Sequence, residues 1–424
     1  SNEFKEAGHP VYMFGADALA DYEGWKNVWE KFHGLCQAGK VKATWAVGAG
    51  GIAEAVMKMS FGNDIGFTAC GDAVQKAPVY GTILAELTED CDFGTLIGHT
   101  TEEASIALKG EKVAIAELYA LNTAVLEKVY PTKTKETDKE IPAFSHNEIC
   151  GIAPAVKVAK PKVLIPVFPG TNCEYDSARA VMNAGGEAEI VVIRNLTADD
   201  VARSVETVAK KIEQSQMIFI PGGFSGGDEP DGSAKFITAF FRNPAIKEQV
   251  MRLLNDRDGL MCGICNGFQA LIKLGLVPYG KIIDTDENCP TLTFNNISRH
   301  QSRIVRTRVA SNKSPWLALT NVGDVYNVPI SHGEGKFLAS EELIRQLAAN
   351  GQIATQYVDL TGEATADIRF NPNDSVWAIE GITSPDGRVL GKMGHSERIG
   401  DNLYRNVIGE YDMGLFRSAV KYFK

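Results

Sequence analysis

Gly259-Leu260-Met261-Cys262-Gly263-Ile264-Cys265-Asn266-Gly267-Phe268-Gln269-Ala270-Leu271 is the stretch that decides the fold. A short apolar run, Leu260 to Cys262, leads into Gly263-Ile264-Cys265-Asn266-Gly267, and a helical pattern follows from about Asn266 to Leu274. G-x-nucleophile-x-G between strand and helix is the form of a tight turn that lifts a nucleophile above a sheet. Glycines two positions to either side let the backbone pass closely while Cys265 takes a strained conformation. Its sulfur then sits over the helix N-terminus, where the positive end of the dipole favours thiolate. The Asn266 amide points into the same space as an oxyanion donor. Cys262 and Cys265 also spell C-x-x-C, the pattern of a redox pair or half a zinc site. That reading is weak, because Cys262 falls in the apolar strand, no second C-x-x-C exists, and Cys289 lacks a partner at zinc-site spacing. No metal site is expected. A buried structural cysteine is the commonest fate of the residue type, and the flanking glycines weigh against it here.

A thiol nucleophile needs a base, and the base needs an orienting group. Among seven histidines, His395 stands with Glu397 in Arg388-Val389-Leu390-Gly391-Lys392-Met393-Gly394-His395-Ser396-Glu397-Arg398, just past a strand-like run. If that strand is parallel to the one leading to Cys265, both end at the carboxyl edge of the sheet, where open α/β folds build their sites. Cys265, His395 and Glu397 then form a triad in which Glu397 fixes the imidazole tautomer. A surface His-x-Glu pair is equally common on spacing alone; the elbow gives this one its weight.

Outward from the elbow, apolar runs alternate with helical patterns: Val163–Val167, a helix near Glu174–Ala184, Ala188–Ile193, a helix around Ala198–Gln214, and Met217–Ile220. That rhythm implies a parallel sheet. After Lys281 short strands dominate. The polar stretch Pro131–Glu140 has no apolar face, and Ala153–Lys160 alternates Pro, Lys and small residues, so 131–160 reads as a linker. The unit before it, 1–130, mixes an amphipathic helix from about Asp17 (a candidate N-cap) to His33, strands at Val41–Val47, Ile65–Cys70, Thr82–Leu87 and Thr95–Ile97, and a helix near Tyr119–Val129. It is expected to be a smaller α/β or α+β unit.

Composition excludes several function classes. A chain of 424 residues with 23% charged and 44% apolar residues is an ordinary globular protein of two or three domains. Net charge is −10 and no Lys/Arg block stands out, so nucleic acid is not an expected partner. No run approaches the length of a membrane helix and Ser1-Asn2-Glu3-Phe4-Lys5 is no signal peptide, which places the chain in the cytoplasm, away from membranes. Eight cysteines are too few for a disulfide scaffold. The start at Ser1-Asn2, without Met, suggests a piece of something longer.

Five runs resemble the class I, triad-type glutamine amidotransferases, and within them the glutaminase domain of the phosphoribosylformylglycinamidine (FGAM) synthases. They are Val167–Glu174 (VFPGTNCE), Ile220–Asp228 (IPGGFSGGD), Gly263–Gln269 (GICNGFQ), Ser331–Gly335 (SHGEG) and Gly394–Arg398 (GHSER), in the family's order across 161–424. The resemblance implies a flavodoxin-like glutaminase domain with Cys265 as nucleophile, His395 as base and acid, and Glu397 as its partner. It implies that the backbone around Gly223 and Phe224 completes the oxyanion hole with Asn266, that Gln269 holds the bound glutamine, and that His332 is a supporting loop residue beside Glu334. It implies no cofactor in the glutaminase domain. Gly394 and Ser396 flank His395 where many members have prolines, which implies a less rigid loop.

Val47-Gly48-Ala49-Gly50-Gly51-Ile52-Ala53-Glu54-Ala55 resembles the carboxyl-side half of an aminoimidazole-ribonucleotide (AIR)-synthetase-like domain. Gly48, Gly50 and Gly51 are then phosphate-binding candidates at a helix N-terminus. The same residues fit G-x-G-x-x-A with Asp72 at about the ribose-binding spacing, a dinucleotide fold. In the full family such segments bind ATP with magnesium and use the released ammonia on formylglycinamide ribonucleotide. The chain is therefore expected to be the C-terminal part of a large synthase, its partners being glutamine and the missing N-terminal synthetase domains. The alternatives are a Cys-dependent peptidase or chaperone-like hydrolase of the same fold carrying a nucleotide-binding N-terminal module, or a non-catalytic docking module.

Overall fold

The computed structural model describes residues 1–424 apart from 17, 19, 72–73, 75–79, 133–139, 149–150, 152, 155 and 226–231. It divides into two compact units, Ser1–Thr132 and Lys133–Lys424.

The first unit runs β1 (Pro10–Phe14), α1 (Tyr22–Gln37), β2 (Val41–Ala46), α2 (Gly51–Ser60), β3 (Gly66–Ala69), β4 (Ile83–Leu87), β5 (Thr95–Thr101), β6 (Ser105–Leu108), β7 (Glu111–Ala114) and α3 (Ile115–Ala124). Its seven strands form one sheet in the order β2-β4-β1-β5-β3-β6-β7. Every pairing is antiparallel except β3 with β6, so the unit is α+β, not α/β. Alternation along β1 sends Val11 to the face covered by Ile52, Val56 and Met59 of α2, and Tyr12 and Phe14 to the face covered by Phe32 of α1. The dinucleotide reading does not hold, because β2 and β3, the strands that α2 joins, are separated by three others instead of lying side by side. Asp72 and Asp17 lie outside the described residues. The cap of α1 is Asp21, whose Oδ1 accepts from the Gly24 amide at 2.9 Å. The last helix starts earlier than its expected Tyr119, directly off β7, with no side-chain cap to mark the place.

The second unit opens with β8 (Lys162–Val167), α4 (Glu174–Asn183), β9 (Glu187–Val192), α5 (Ala198–Gln214), β10 (Met217–Ile220), α6 (Lys235–Phe241), α7 (Pro244–Asn255), β11 (Leu260–Ile264) and α8 (Asn266–Leu274). It continues through α9 (Leu276–Tyr279), β12 (Thr291–Phe294), β13 (Gln301–Val309), β14 (Val325–His332), β15 (Glu334–Leu338), α10 (Glu341–Ala349), β16 (Ile353–Val358), β17 (Ile379–Thr383), β18 (Val389–Lys392) and α11 (Leu415–Phe423). The main sheet is β14-β13-β16-β17-β18-β11-β10-β8-β9. From β9 to β18 the five strands are parallel, and in chain order they lie 2-1-3-4-5, the flavodoxin-like winding. The other four strands extend this sheet antiparallel from β18. Because both faces of the parallel core are covered, β8, β10 and β11 read as continuous apolar runs, with Leu164, Ile218, Phe219, Met261 and Ile264 wholly buried. Each such side chain contributes about 1.5–3 kcal/mol by leaving water.

Part of the expected linker is docked. The Phe144 ring stacks on Trp377 at 5.6 Å, its amide donates to Gln356 Oε1 at 2.8 Å, and the His146 amide donates to the Ala310 carbonyl at 2.9 Å. The polar residues 133–139 of that stretch lie outside the described residues. Among the described residues, no helix is long and apolar enough to cross a membrane.

Candidate active site

Cys265 sits between β11 and α8 at φ 54°, ψ −107°, a conformation that a non-glycine residue adopts only under constraint. The flanking glycines supply the constraint. A Cβ on Gly263 would meet the Gly267 carbonyl oxygen at 2.5 Å, and one on Gly267 would meet that of Ile220 at 2.0 Å. Helix α8 therefore presses against both β11 and β10, and the chain turns from strand to helix with Cys265 at the apex. Cys262, three residues earlier, is fully buried in β11, and burial pushes its thiol well above the ordinary range. Both cysteines are free thiols, and the metal-holding group found among the described residues includes neither.

β18 runs parallel to β11, pairing Ile264 with Lys392, so its end delivers His395 to the same sheet edge. His395 is buried and its Nδ1 donates to Glu397 Oε1 at 2.6 Å; its ring and Cys265 flank the same point, since a Cβ on Gly222 would lie 2.7 Å from His395 Cε1 and 3.3 Å from Cys265 Cβ. Burial opposes charge on the imidazole, yet the Glu397 carboxylate and the hydrogen bonds around the ring outweigh it and hold the His395 pKa well above the ordinary value. Burial likewise opposes ionisation of Glu397, and the His395 charge overrides it, keeping the carboxyl below its ordinary range. The Cys265 sulfur also lies 3.7 Å from the Ser331 carbonyl oxygen. Cys265, His395 and Glu397 are thus brought together.

The surrounding residues separate into those the fold places as expected and those it does not. Gly223 (φ 139°) faces Thr171 in an isolated bridge, which the Asn172 amide and the Gly222 carbonyl close at 3.3 Å. The Phe224 amide donates to the Gly170 carbonyl at 2.9 Å and so closes the other side of the bridge; the Phe224 ring is exposed. Gly223 makes no backbone hydrogen bond through its own amide among the described residues. Gln269 is held at both ends by the protein. Its Nε2 donates to the Glu334 carbonyl at 2.5 Å and its Oε1 accepts from Asn266 Nδ2 at 2.9 Å, so both ends are used to fix the wall of the site. Asn266 Oδ1 in turn accepts from the Ser225 amide at 3.3 Å.

His332 is buried with neither ring nitrogen hydrogen-bonded among the described residues, and burial, then the nearby His395 and His300, lower its pKa to about 3. So low a pKa makes it a weak proton acceptor, and among the described residues no carboxylate orients its ring, which sets it apart from His395. Glu334 is buried too, with Oε2 accepting from the Ser233 amide at 3.1 Å. The loop carrying His395 is not loosened by the lack of prolines. The Gly394 amide donates to Glu380 Oε1 at 2.6 Å, while Lys392 Nζ donates to the Gly394 carbonyl and to Ser396 Oγ, each at 3.0 Å. Lys392 and Glu380 are themselves a fully buried ion pair at 3.2 Å. Of the phosphate candidates, Gly50 and Gly51 do lie at the N-terminus of α2 with Gly48 just before it. The Glu54 carboxylate already accepts from the Gly50 amide there at 2.9 Å, which does not fit a phosphate.

The sequence reasoning missed Cys173 and Arg398, although both fall inside the runs quoted for the family. Cys173, wholly buried at the start of α4, has its Sγ 3.9 Å from His395 Nδ1, and Arg398 Nη2 donates to that sulfur at 2.9 Å. Nothing local marks the contact, since Cys173 and Arg398 are 225 positions apart. Gly222 seals the same corner: a Cβ there would lie 2.7 Å from His395 Cε1 and 3.3 Å from both Cys173 Sγ and Cys265 Cβ.

The model of the CobB/CobQ-like glutamine amidotransferase domain matches residues 160–423. The phosphoribosylformylglycinamidine synthase subunit PurQ of Methanococcus maripaludis is 33% identical over 281 residues, covering 62% of this chain and 98% of that protein. The Aquifex aeolicus subunit of the same name is 32% identical over 253 residues, covering 59% of this chain and 95% of that protein. Among solved structures, PurLQS from Thermotoga maritima is similar over 62% of this chain and all of the matched one, with 25% identity and a TM-score of 0.45. The chain thus belongs to the CobB/CobQ-like glutamine amidotransferases, alongside the PurQ-type glutaminase subunits of FGAM synthase.

Proposed function

We propose that the second unit is the glutaminase of an FGAM synthase and that Cys265, His395 and Glu397 are its catalytic residues. The observation that carries this reading is the strained Cys265 on the strand-to-helix turn, beside a buried His395 that Glu397 holds at Nδ1.

Cys265 gives its proton to His395, a transfer favoured by the preference of this setting for a charged imidazole. The sulfur attacks the side-chain amide carbon of glutamine, and the carbonyl oxygen takes up the charge facing the Gly223 and Asn266 amides. His395 returns the proton to the nitrogen, the C–N bond breaks, and ammonia leaves a glutamyl thioester on Cys265. His395 then takes a proton from water, hydroxide adds to the thioester carbon, and the C–S bond breaks to give glutamate and the restored thiol. Glu397 stays ionised throughout and fixes the tautomer. Gln269 and Asn266 hold the wall against which the substrate lies.

The ammonia serves the ATP-dependent conversion of formylglycinamide ribonucleotide to its amidine in purine biosynthesis, in the cytoplasm. The resemblance of Val47–Ala55 supports reading the first unit as part of an AIR-synthetase-like domain. ATP and magnesium belong to other synthetase segments of the assembly, because the Glu54 carboxylate holds the α2 N-terminus. Treatment with a diazoketone analogue of glutamine, followed by peptide mapping, tests the assignment. The adduct is expected on Cys265; labelling of Cys173 in its place would sink it.

A further inference from the structure

We propose that Cys173, His395 Nδ1 and the Glu397 carboxylate form an inhibitory site for a thiophilic divalent cation, Zn²⁺ being the type case, whose occupation stops glutamine hydrolysis. The inhibitory part rests on the catalytic reading of His395 and Glu397; capture of the ion does not.

A thiolate, an imidazole nitrogen and a carboxylate oxygen are all zinc donors. Here one of each lies within 4.8 Å of the others, in three buried residues. Cys173 Sγ is 3.9 Å from His395 Nδ1, and Nδ1 is 2.6 Å from Glu397 Oε1. Tetrahedral zinc with these donors sets them about 3.4–3.6 Å apart, so the sulfur must close on Nδ1 by a few tenths of an ångström, the carboxylate withdraw from Nδ1 by about 1 Å, and the sulfur and carboxylate, at most 4.8 Å apart, draw together by up to about 1.2 Å. A second observation points the same way: Glu397 Oε2 is buried with no hydrogen-bond partner among the described residues, an oxygen left over for a ligand.

Charge balance is favourable. Zn²⁺ with one thiolate and one carboxylate is neutral, so burial carries no net-charge penalty. Arg398 sits behind the sulfur, donating to it at 2.9 Å, with Asp176 at 3.9 Å to offset its charge, and it aims Sγ as outer-sphere partners aim metal ligands. Binding displaces the Cys173 proton and the Nδ1 proton of His395. An imidazole metallated at Nδ1 cannot take the Cys265 proton in the pairing that Glu397 stabilises. The ion removes base and orienting group together, which makes it an inhibitor and not a resident cofactor.

The test uses the whole chain, Zn²⁺ alone, and a phosphine reductant in place of thiols. Bound zinc is counted by metal analysis after gel filtration, and glutaminase rates are read relative to each protein without metal. The wild type is expected to bind one zinc and lose activity, with Cys173→Ala and the near-isosteric Cys173→Ser needing about tenfold more zinc or higher. Cys265→Ala should still bind one zinc. With Co²⁺ it should show a thiolate charge-transfer band that vanishes when Cys173→Ala is added. Equal inhibition of wild type and Cys173→Ala, or failure of Cys265→Ala to bind zinc, would overturn the proposal. Absence of glutaminase activity with zinc still bound by Cys265→Ala would instead sink the catalytic reading and leave the metal site standing.

Discussion

Glu397 and His395 hold each other in opposite charge states against a burial that resists both, and that reciprocity governs how single substitutions act. The His395 pKa is raised above its ordinary 6.5, so its contribution to stability is complete below that value and is lost as pH rises through the folded pKa. The Glu397 pKa is lowered from 4.5, so its contribution is present above that value and is lost as pH falls through the folded pKa. Together they stabilise the fold across the neutral range. Glu397→Gln should therefore cost about 3–5 kcal/mol near pH 7. In urea unfolding at several pH values the gap from wild type should narrow toward acid; a constant gap would contradict the assignment. The same change should lower kcat by about 10⁴-fold, as loss of the orienting carboxylate does in serine proteases. His332 offers the opposite case. With its pKa lowered to about 3, its ring resonances should not titrate between about pH 5 and 8, whereas replacement of Glu397 should move the His395 titration to lower pH than in the wild type.

At the scale of elements, the site depends on close approach of β10, β11, β18 and α8. A Cβ on Gly391 of β18 would lie 2.1 Å from the Phe268 ring of α8. Gly391→Ala should force the ring off its rotamer and cost about 1–3 kcal/mol, read as a lowered denaturation midpoint. The Lys392–Glu380 pair does for the His395 loop what prolines do elsewhere, through buried hydrogen bonds to Gly394 and Ser396. Lys392→Met leaves Glu380 charged and unpaired, so it should destabilise by about 3–5 kcal/mol. In the protein that remains folded it should, if His395 is the base as proposed, reduce kcat more than it raises KM, since His395 is displaced and the wall is not. Much of this was legible in the sequence. The central parallel strands β8, β10 and β11 are apolar runs closed by helices of strong period, and α5 and α8 fall where that period puts them. Cys265 was legible because its glycines sit at fixed local offsets. Lys392 with Glu380, Cys173 with Arg398, and the commitment of the Phe224 amide to Gly170 were not, because each is a contact between distant segments that leaves no periodic or compositional trace. Strand β1 escaped for a related reason: its five residues alternate between two buried faces, so no polar side marks its period.

For the whole molecule, the distribution of the core decides how many cooperative parts it has. The buried cluster around the site draws only on residues from Val163 to Phe423, and the clusters of the first unit only on residues from Phe4 to Ile97. Among the described residues, no sheet draws strands from both units. Apolar cores that share no residue melt as separate units unless an interface couples them, and chains of this kind depart from two-state unfolding. Calorimetry of the intact chain should accordingly resolve two transitions. The larger belongs to the second unit, which buries more surface and so carries the greater enthalpy. A covalent diazoketone adduct on Cys265 adds contacts to the folded second unit alone, so it should raise the midpoint of that transition and leave the other in place. A single transition, or an equal rise in both midpoints, would mean that the first unit is energetically part of the glutaminase and not a neighbour on the same chain.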